Sequence, residues 1–155
     1  MTDRFVDDYL LYLLARASSE VSAQFHDRLR AHGLQVPEWR VLASLSDGDG
    51  MTVGELAARA LQRQPTMTKI IDRMVDSGLV ERRRDKDDRR KVRVFISRDG
   101  QRRVDDALAD AKHHEREVLA DYAPAEADRL KSMLRSLVDR NGAAPTEDCP
   151  FPPLG

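Results

Sequence analysis

Between Thr52 and Ser97 the chain is punctuated so closely that few arrangements can satisfy it. Thr52-Val-Gly-Glu55 has the form of a capping box, in which the hydroxyl meets an amide of the first helical turn and the Glu carboxylate reaches back. The helix it opens carries a small apolar face of Leu56, Ala57 and Ala60, then gives way to a short turn at Leu61–Arg63. The next helix spans about Gln64 to Ser77, with Pro65 in the first turn, where a missing N–H is tolerated. Met67, Ile70, Ile71 and Met74 recur at helical spacing and should face inward, leaving Thr66, Thr68, Lys69 and Arg73 outside. Gly78 supplies a left-handed stop. A strand at Leu79–Arg83, the charged turn Arg84–Arg90 and a strand at Lys91–Ile96 follow. In the second strand Val92, Val94 and Ile96 alternate with Arg93 and Phe95 at period two, which predicts a β-hairpin with a long basic tip.

The flanks are helical. From Asp3 to His32, Val6, Leu10, Leu13, Leu14, Ala17, Val21, Phe25 and Leu29 form one apolar stripe, and Gly33 is its stop. Such a helix is longer than a small domain needs to cover its own core, so part of the stripe should meet another subunit. Pro37 opens a second helix with Trp39, Leu42 and Leu45 on its inner side, and Ser46–Gly50 is a turn cluster. Ser97 can cap a fifth helix to about Tyr122, its apolar side Val104, Leu108, Ala111, Val118 and Leu119. Pro124 restarts the chain as a sixth, with a seam of Leu130, Met133, Leu134, Leu137 and Val138. The segment 141–155 is Pro-rich with little periodicity and is read as a tail, disordered or draped over a partner. The expected class is mainly α with a small hairpin, in the order α-α-α-α-β-β-α-α.

The formal charge of −1 hides a strong asymmetry. Residues 1–58 carry a net −4, residues 59–103 a net +8 and residues 104–155 a net −5. A basic middle between acidic ends is the electrostatic footprint of a polyanion-binding centre. No run approaches the roughly 20 apolar residues of a membrane span, and the N-terminus shows no export signal. With a single cysteine, Cys149, a disulfide framework is excluded, and a cytoplasmic protein is expected. No Gly-rich phosphate loop or motif-bound nucleophile is visible, so no enzyme and no cofactor is expected.

Helix, short turn, helix and basic hairpin in succession is the order of a winged helix-turn-helix. A surface helix of this kind fits the major groove and brings side chains to base edges. A basic hairpin tip can reach the neighbouring minor groove, whose negative potential favours an inserted Arg. The sequence resembles the MarR (multiple antibiotic resistance regulator) family over about Asp7 to Arg140. The resemblance rests on Pro37-Glu-Trp-Arg-Val-Leu42, Thr52-Val-Gly-Glu-Leu-Ala57, Thr68-Lys-Ile-Ile-Asp-Arg-Met74, Gly78-Leu-Val80, Asp88-Arg-Arg90 and Ser97-Arg-Asp-Gly100. It implies that Gln64, Pro65, Thr66, Thr68 and Lys69 face the groove, with Thr66 and Thr68 at bases or phosphates and Lys69 and Arg73 on phosphates. Arg63 could do either. Arg90 looks like the minor-groove finger, held by Asp88 through a charge-assisted fork, with Arg89 the alternative because the doublet leaves the register open by one. Arg82, Arg83 and Arg84 are read either as part of this surface or as plain surface charge.

The same resemblance implies a homodimer. Residues 1–35 and 99–140 would pair across a two-fold axis, and residues 36–98 would read double-stranded DNA. Two recognition helices roughly 34 Å apart then require a pseudo-palindromic operator. A repressor released by a small effector, an aromatic acid or its acyl thioester, is the expected function. Tyr9, Tyr12, His26, Arg28, His32, Trp39 and Arg40 form the candidate effector pocket, with Trp39 alternatively a plain core residue. The competing reading is a winged-helix protein-interaction module without DNA binding. His113 and Glu117 have the spacing of a metal pair, with His114 beside them, but they are read as exposed helix polarity and no metal is expected. Cys149 is read as a bystander thiol rather than a redox sensor.

Overall fold

The computed structural model describes residues 4–142. Within them lie α1 (Leu10–Ala31), α2 (Val36–Leu45), α3 (Val53–Arg59), α4 (Gln64–Asp76), β1 (Val80–Arg84), β2 (Val92–Ile96), α5 (Arg98–Val118) and α6 (Pro124–Asn141). This is the expected class, mainly helical with one antiparallel hairpin, and the order is the expected one. Cys149 and all of the expected tail beyond Gly142 lie outside the described residues.

The local signals that punctuate the chain form as chemistry requires. The Thr52 hydroxyl accepts the Glu55 amide at 3.2 Å while the Glu55 carboxylate accepts the Thr52 amide at 2.8 Å. Both left-handed stops are present, at Gly33 (φ +67°) and Gly78 (φ +76°). Each closes its helix with a paired motif in which the residue after glycine donates five residues back, Leu34 to Leu29 and Leu79 to Met74. These four side chains are buried, so each helix stop is also a core contact.

The first helix departs from expectation. Phe5–Asp8 form a separate turn of 3-10 helix, Tyr9 is extended (φ −79°, ψ 123°), and α1 begins only at Leu10. Asp7 and Asp8 favour turns over helix interiors, and the Phe5 ring stacks on Tyr9 at 5.1 Å across the break. The long stripe also divides in two. At its C-terminal part Phe25 and Leu29 pack on the core and Val21 is half-buried, whereas Leu10 and Leu13 stay exposed. Helix α5 stops at Val118, four residues short of the expected end, because a turn at Leu119–Tyr122 must deliver the chain to Pro124.

One core holds the centre together. The inner faces of α2, α3 and α4 (Val41, Leu42, Leu45, Leu56, Met67, Ile71, Met74) meet Leu29 of α1, Val80 and Val94 of the hairpin, and Val104 and Ala107 of α5. The hairpin runs in register from Val80 opposite Ile96 to Arg84 opposite Val92. Inward alternation holds only at its base, where Val94 is buried, while Val92 nearer the tip is 44% exposed. Met51 adds a bridge not foreseen, exchanging both backbone hydrogen bonds with Val94 at 3.0 and 2.7 Å.

Ser97 and Gly100 lock the hairpin to both neighbouring helices. The Ser97 hydroxyl donates to the Gly78 carbonyl at 2.5 Å and accepts the Gly100 amide at 3.0 Å. A Cβ on Gly100 would stand 2.1 Å from the Leu79 carbonyl oxygen, an approach open only to glycine. Gly100→Ala is therefore expected to lower stability by about 1–3 kcal/mol, as overpacking against immobile backbone does. Gly54→Ala, whose new methyl would meet nothing closer than 3.6 Å, should be nearly neutral. Urea melts of the two variants decide the point; equal midpoints would show that the α5 start yields freely.

Candidate nucleic-acid interface

Helix α4 is one-sided. Met67, Ile70, Ile71 and Met74 are buried against the core, and Gln64, Pro65, Thr66, Thr68, Lys69 and Arg73 are all exposed on the remaining surface. Arg63 is the extended N-cap and offers no side-chain hydrogen bond to the first-turn amides. Open amides at a helix N-terminus suit a phosphate. The Thr68 hydroxyl donates to the Gln64 carbonyl at 3.0 Å, which leaves its oxygen free to accept. The turn from α3 into α4 passes through Leu61 in the left-handed region (φ +56°), with its side chain 63% exposed.

In the wing, the sequence reading missed the residues that set its shape. Arg93 on β2 spans two anchors: its Nε donates to Asp85 at 2.5 Å and its Nη1 to the Gly50 carbonyl at 2.8 Å. The other Asp85 oxygen accepts the amides of Asp87 at 2.8 Å and Asp88 at 3.4 Å, folding the turn over the carboxylate. An Asp that begins a turn of charged residues, eight positions before an Arg on the returning strand, was the available signal. Asp88 does not fork onto the Arg90 guanidinium here; it accepts the Arg90 backbone amide at 3.0 Å and so shapes the turn.

The cations divide into two sets. Arg82 pairs with Asp72 of α4 at 2.5 Å, and Arg83 pairs with Glu81 and lies 4.8 Å over the Phe95 ring, so both brace the hairpin. Among the described residues, no ion pair engages Arg63, Lys69, Arg73, Arg84, Lys86, Arg89 or Arg90. All of these are exposed.

The expected effector residues separate into three places. His26, Trp39 and Arg40 line a cavity of about 260 Å³ between α1, α2 and α5, together with Val21, Ser22, Phe25, Val36, Ala111 and His114. Tyr9 stacks on Phe5 and Tyr12 meets Arg16 near the start of the chain. Arg28 pairs with Glu117 and His32 bonds Asp110 at 2.6 Å, so both tie α1 to α5. Trp39 does both duties, packing on the core and meeting Phe25 edge-on at 5.2 Å in the cavity wall. His114 is not exposed helix polarity: it is 6% exposed, stacks on Phe25 at 5.8 Å and bonds Gln24 at 3.2 Å. Its face of α5 packs against α1, which hydrophobic spacing alone did not reveal. Burial, then the charge of Arg40, pushes the His26 imidazole below its ordinary value.

The wing clamp has a pH signature. Arg93 chiefly, then the Asp87 amide, holds the Asp85 carboxyl down to about 2. A carboxyl depressed by folding contributes stability that is complete above its unfolded value of about 4 and disappears as pH falls through the folded value. The Asp87 and Asp88 amide resonances are therefore expected to move with a midpoint near the Asp85 value, and Asp85→Asn should abolish that transition. A midpoint in the ordinary carboxylate range would show that the clamp does not hold in solution.

Comparison with known proteins fits this geometry. A sequence profile of the MarR family matches residues 32–91. A MarR family transcriptional regulator from Silicibacter pomeroyi DSS-3 is 48% identical, and its crystal structure superposes with a TM-score of 0.79 over 89% of this chain and 98% of that one. The homoprotocatechuate degradative operon repressor of Escherichia coli is 27% identical over 143 residues, 92% of this chain and 96% of the repressor. The fold is shared by CouR from Rhodococcus jostii RHA1 bound to p-coumaroyl-CoA, at 23% identity and a TM-score of 0.79 over 87% of this chain and 95% of that one. The winged helix-turn-helix, the basic reading surface and these likenesses converge: the chain belongs to the MarR family of transcriptional regulators.

Proposed function

We propose that this regulator is a homodimeric repressor that holds a pseudo-palindromic duplex through α4 and the wing, and releases it when a small aromatic acid enters the cavity. The observation that carries the DNA reading is the division of cations. The arginines that shape the hairpin are paired, whereas those on the outer face of α4 and at the wing tip are exposed and free of carboxylates among the described residues. Lys69 and Arg73 serve phosphates, Arg63 a phosphate or base, and Gln64, Pro65, Thr66 and Thr68 the groove. Arg90, or Arg89 beside it, enters the minor groove, with Asp88 shaping the turn that presents them.

The dimer reading rests on apolar surface. Phe5, Val6, Leu10, Leu11 and Leu13 at one end and Leu130, Met133, Leu134, Leu137 and Val138 on α6 are exposed in the single chain, and among the described residues most exposed large apolar side chains belong to these two segments. Surface of that kind marks an interface. A second copy covers it, with residues 1–35 and 99–140 pairing and residues 36–98 reading DNA.

The effector reading rests on the cavity. Two aromatic walls, Phe25 and Trp39, and one cation, Arg40, suit a flat acid. At about 260 Å³ the cavity lies below the usual range for drug-sized ligands, so it encloses a single-ring acid, or only the acyl end of a thioester. The repressor from Escherichia coli named for homoprotocatechuate degradation, itself governing catabolism of an aromatic acid, supports the same class.

Mobility shifts with the chain's own promoter DNA test the contacts. Lys69→Ala should weaken binding to all sequences and lower the salt slope by about one. Arg90→Ala should cost about 1–3 kcal/mol of affinity if Arg90 is the finger. Wild-type affinity in both variants would favour the protein-interaction reading. Leu134→Asp with Val138→Asp is expected to give monomers by sedimentation that retain helical content and bind the operator at least about tenfold more weakly; an unchanged dimer would remove α6 from the interface.

A further inference from the structure

We infer that Arg40 is the switch of this regulator: it grips the hinge that carries α4, and a carboxylate in the cavity draws it away. The inference rests on the effector reading above and adds a mechanism to it. Arg40 lies on α2 and lines the cavity, yet its Nη1 donates to the Ala60 carbonyl at 3.1 Å. Ala60 is the C-cap of α3, and among the described residues no backbone N–H donates to its carbonyl. Helix-end carbonyls lack intrahelical donors, so this guanidinium closes α3 from outside. The next residue, Leu61, holds the left-handed conformation that a branched side chain disfavours, and Arg63 already caps α4. The Arg40 bond therefore fixes the strained hinge between the two helices of the reading unit.

The cation is also poorly compensated. No carboxylate lines the cavity, none pairs with Arg40 among the described residues, and burial lowers the pKa of the guanidinium. A carboxylate held in the cavity beside Phe25 and Trp39 can accept the guanidinium through two parallel N–H bonds and pairs with its charge, whereas the neutral Ala60 carbonyl accepts one bond. It takes the guanidinium, the Ala60 carbonyl loses its donor, and Leu61 is free to relax. Helix α4 then no longer keeps the position that matches the groove. The ligand thus acts by differential interaction with two states of one hydrogen bond.

Phenylacetate and phenylacetamide, which share a ring but not a charge, test the switch on the full chain. Carbonyl-¹³C alanine with ¹⁵N leucine selects the two Ala–Leu pairs, Ala60–Leu61 and Ala107–Leu108, the second an internal reference. Phenylacetate is expected to move the Ala60 carbonyl signal and weaken operator binding at least tenfold, and phenylacetamide to do neither. Arg40→Met should weaken operator binding and shift Ala60 with no ligand present. Arg40→Gln, which keeps a donor for Ala60 without the charge, should bind operator normally and ignore phenylacetate. If phenylacetate binds and releases DNA while Ala60 stays still, or if Arg40→Gln responds as wild type does, the switch is overturned and the effector reading stands. If phenylacetate fails to bind by calorimetry, the effector reading falls; the hinge grip is then overturned if Arg40→Met leaves Ala60 and DNA affinity unchanged.

Discussion

The burial of Met67, Ile70, Ile71 and Met74 is the constraint on which the rest of this molecule depends. A helix that must present polar side chains to a polyanion cannot be stabilised by that face, so its free energy comes from the opposite one. The four side chains meet Leu42 and Val41 of α2, Leu56 of α3 and, through the hairpin base, Val94. Each such residue contributes about 1.5–3 kcal/mol on burial, enough to hold a short helix that would not persist alone. Apart from Asp72, which holds Arg82 of the hairpin, the outer surface of α4 is thereby released from structural duty. Thr66, Lys69 and Arg73 can be chosen for what they touch in a partner.

The wing meets the same problem by polar means. It is too thin to have a core of its own, and beyond Val94 its side chains leave the interior. Arg93 replaces that missing core by joining Asp85, the folded turn and the Gly50 carbonyl in one network. Hydrogen bonds to charged groups are worth more than neutral ones, which suits a hairpin with little apolar area to bury. Arg82 and Arg83 add lateral bracing to α4 and to the Phe95 ring. The arginines of this segment thus fall into a structural set and a free set, and only geometry separates them.

The strong local signals were legible before any coordinates. The Thr52–Glu55 box, the stops at Gly33 and Gly78 and the inward face of α4 depend on interactions within a few residues, which sequence spacing encodes directly. The candidate pocket was half legible. His26, Trp39 and Arg40 meet, but Tyr9, Tyr12, Arg28 and His32 go elsewhere, because helical periodicity gives a face and not its partner. His114 was misjudged for that reason: beside the exposed polar neighbours His113 and Glu117, its inward direction is set only by the packing of α5 on α1.

What the amino-acid order determined by itself was the succession of helices and hairpin and the charge of its middle, since each follows from short-range periodicity, capping and composition. What only the tertiary structure decided was which arginines are spent on the fold, where α1 breaks, and that Arg40 faces a cavity while holding the carbonyl of Ala60, 20 residues away. Contacts between residues distant in the chain arise when helices close on one another, and no local pattern records the partner that closure supplies.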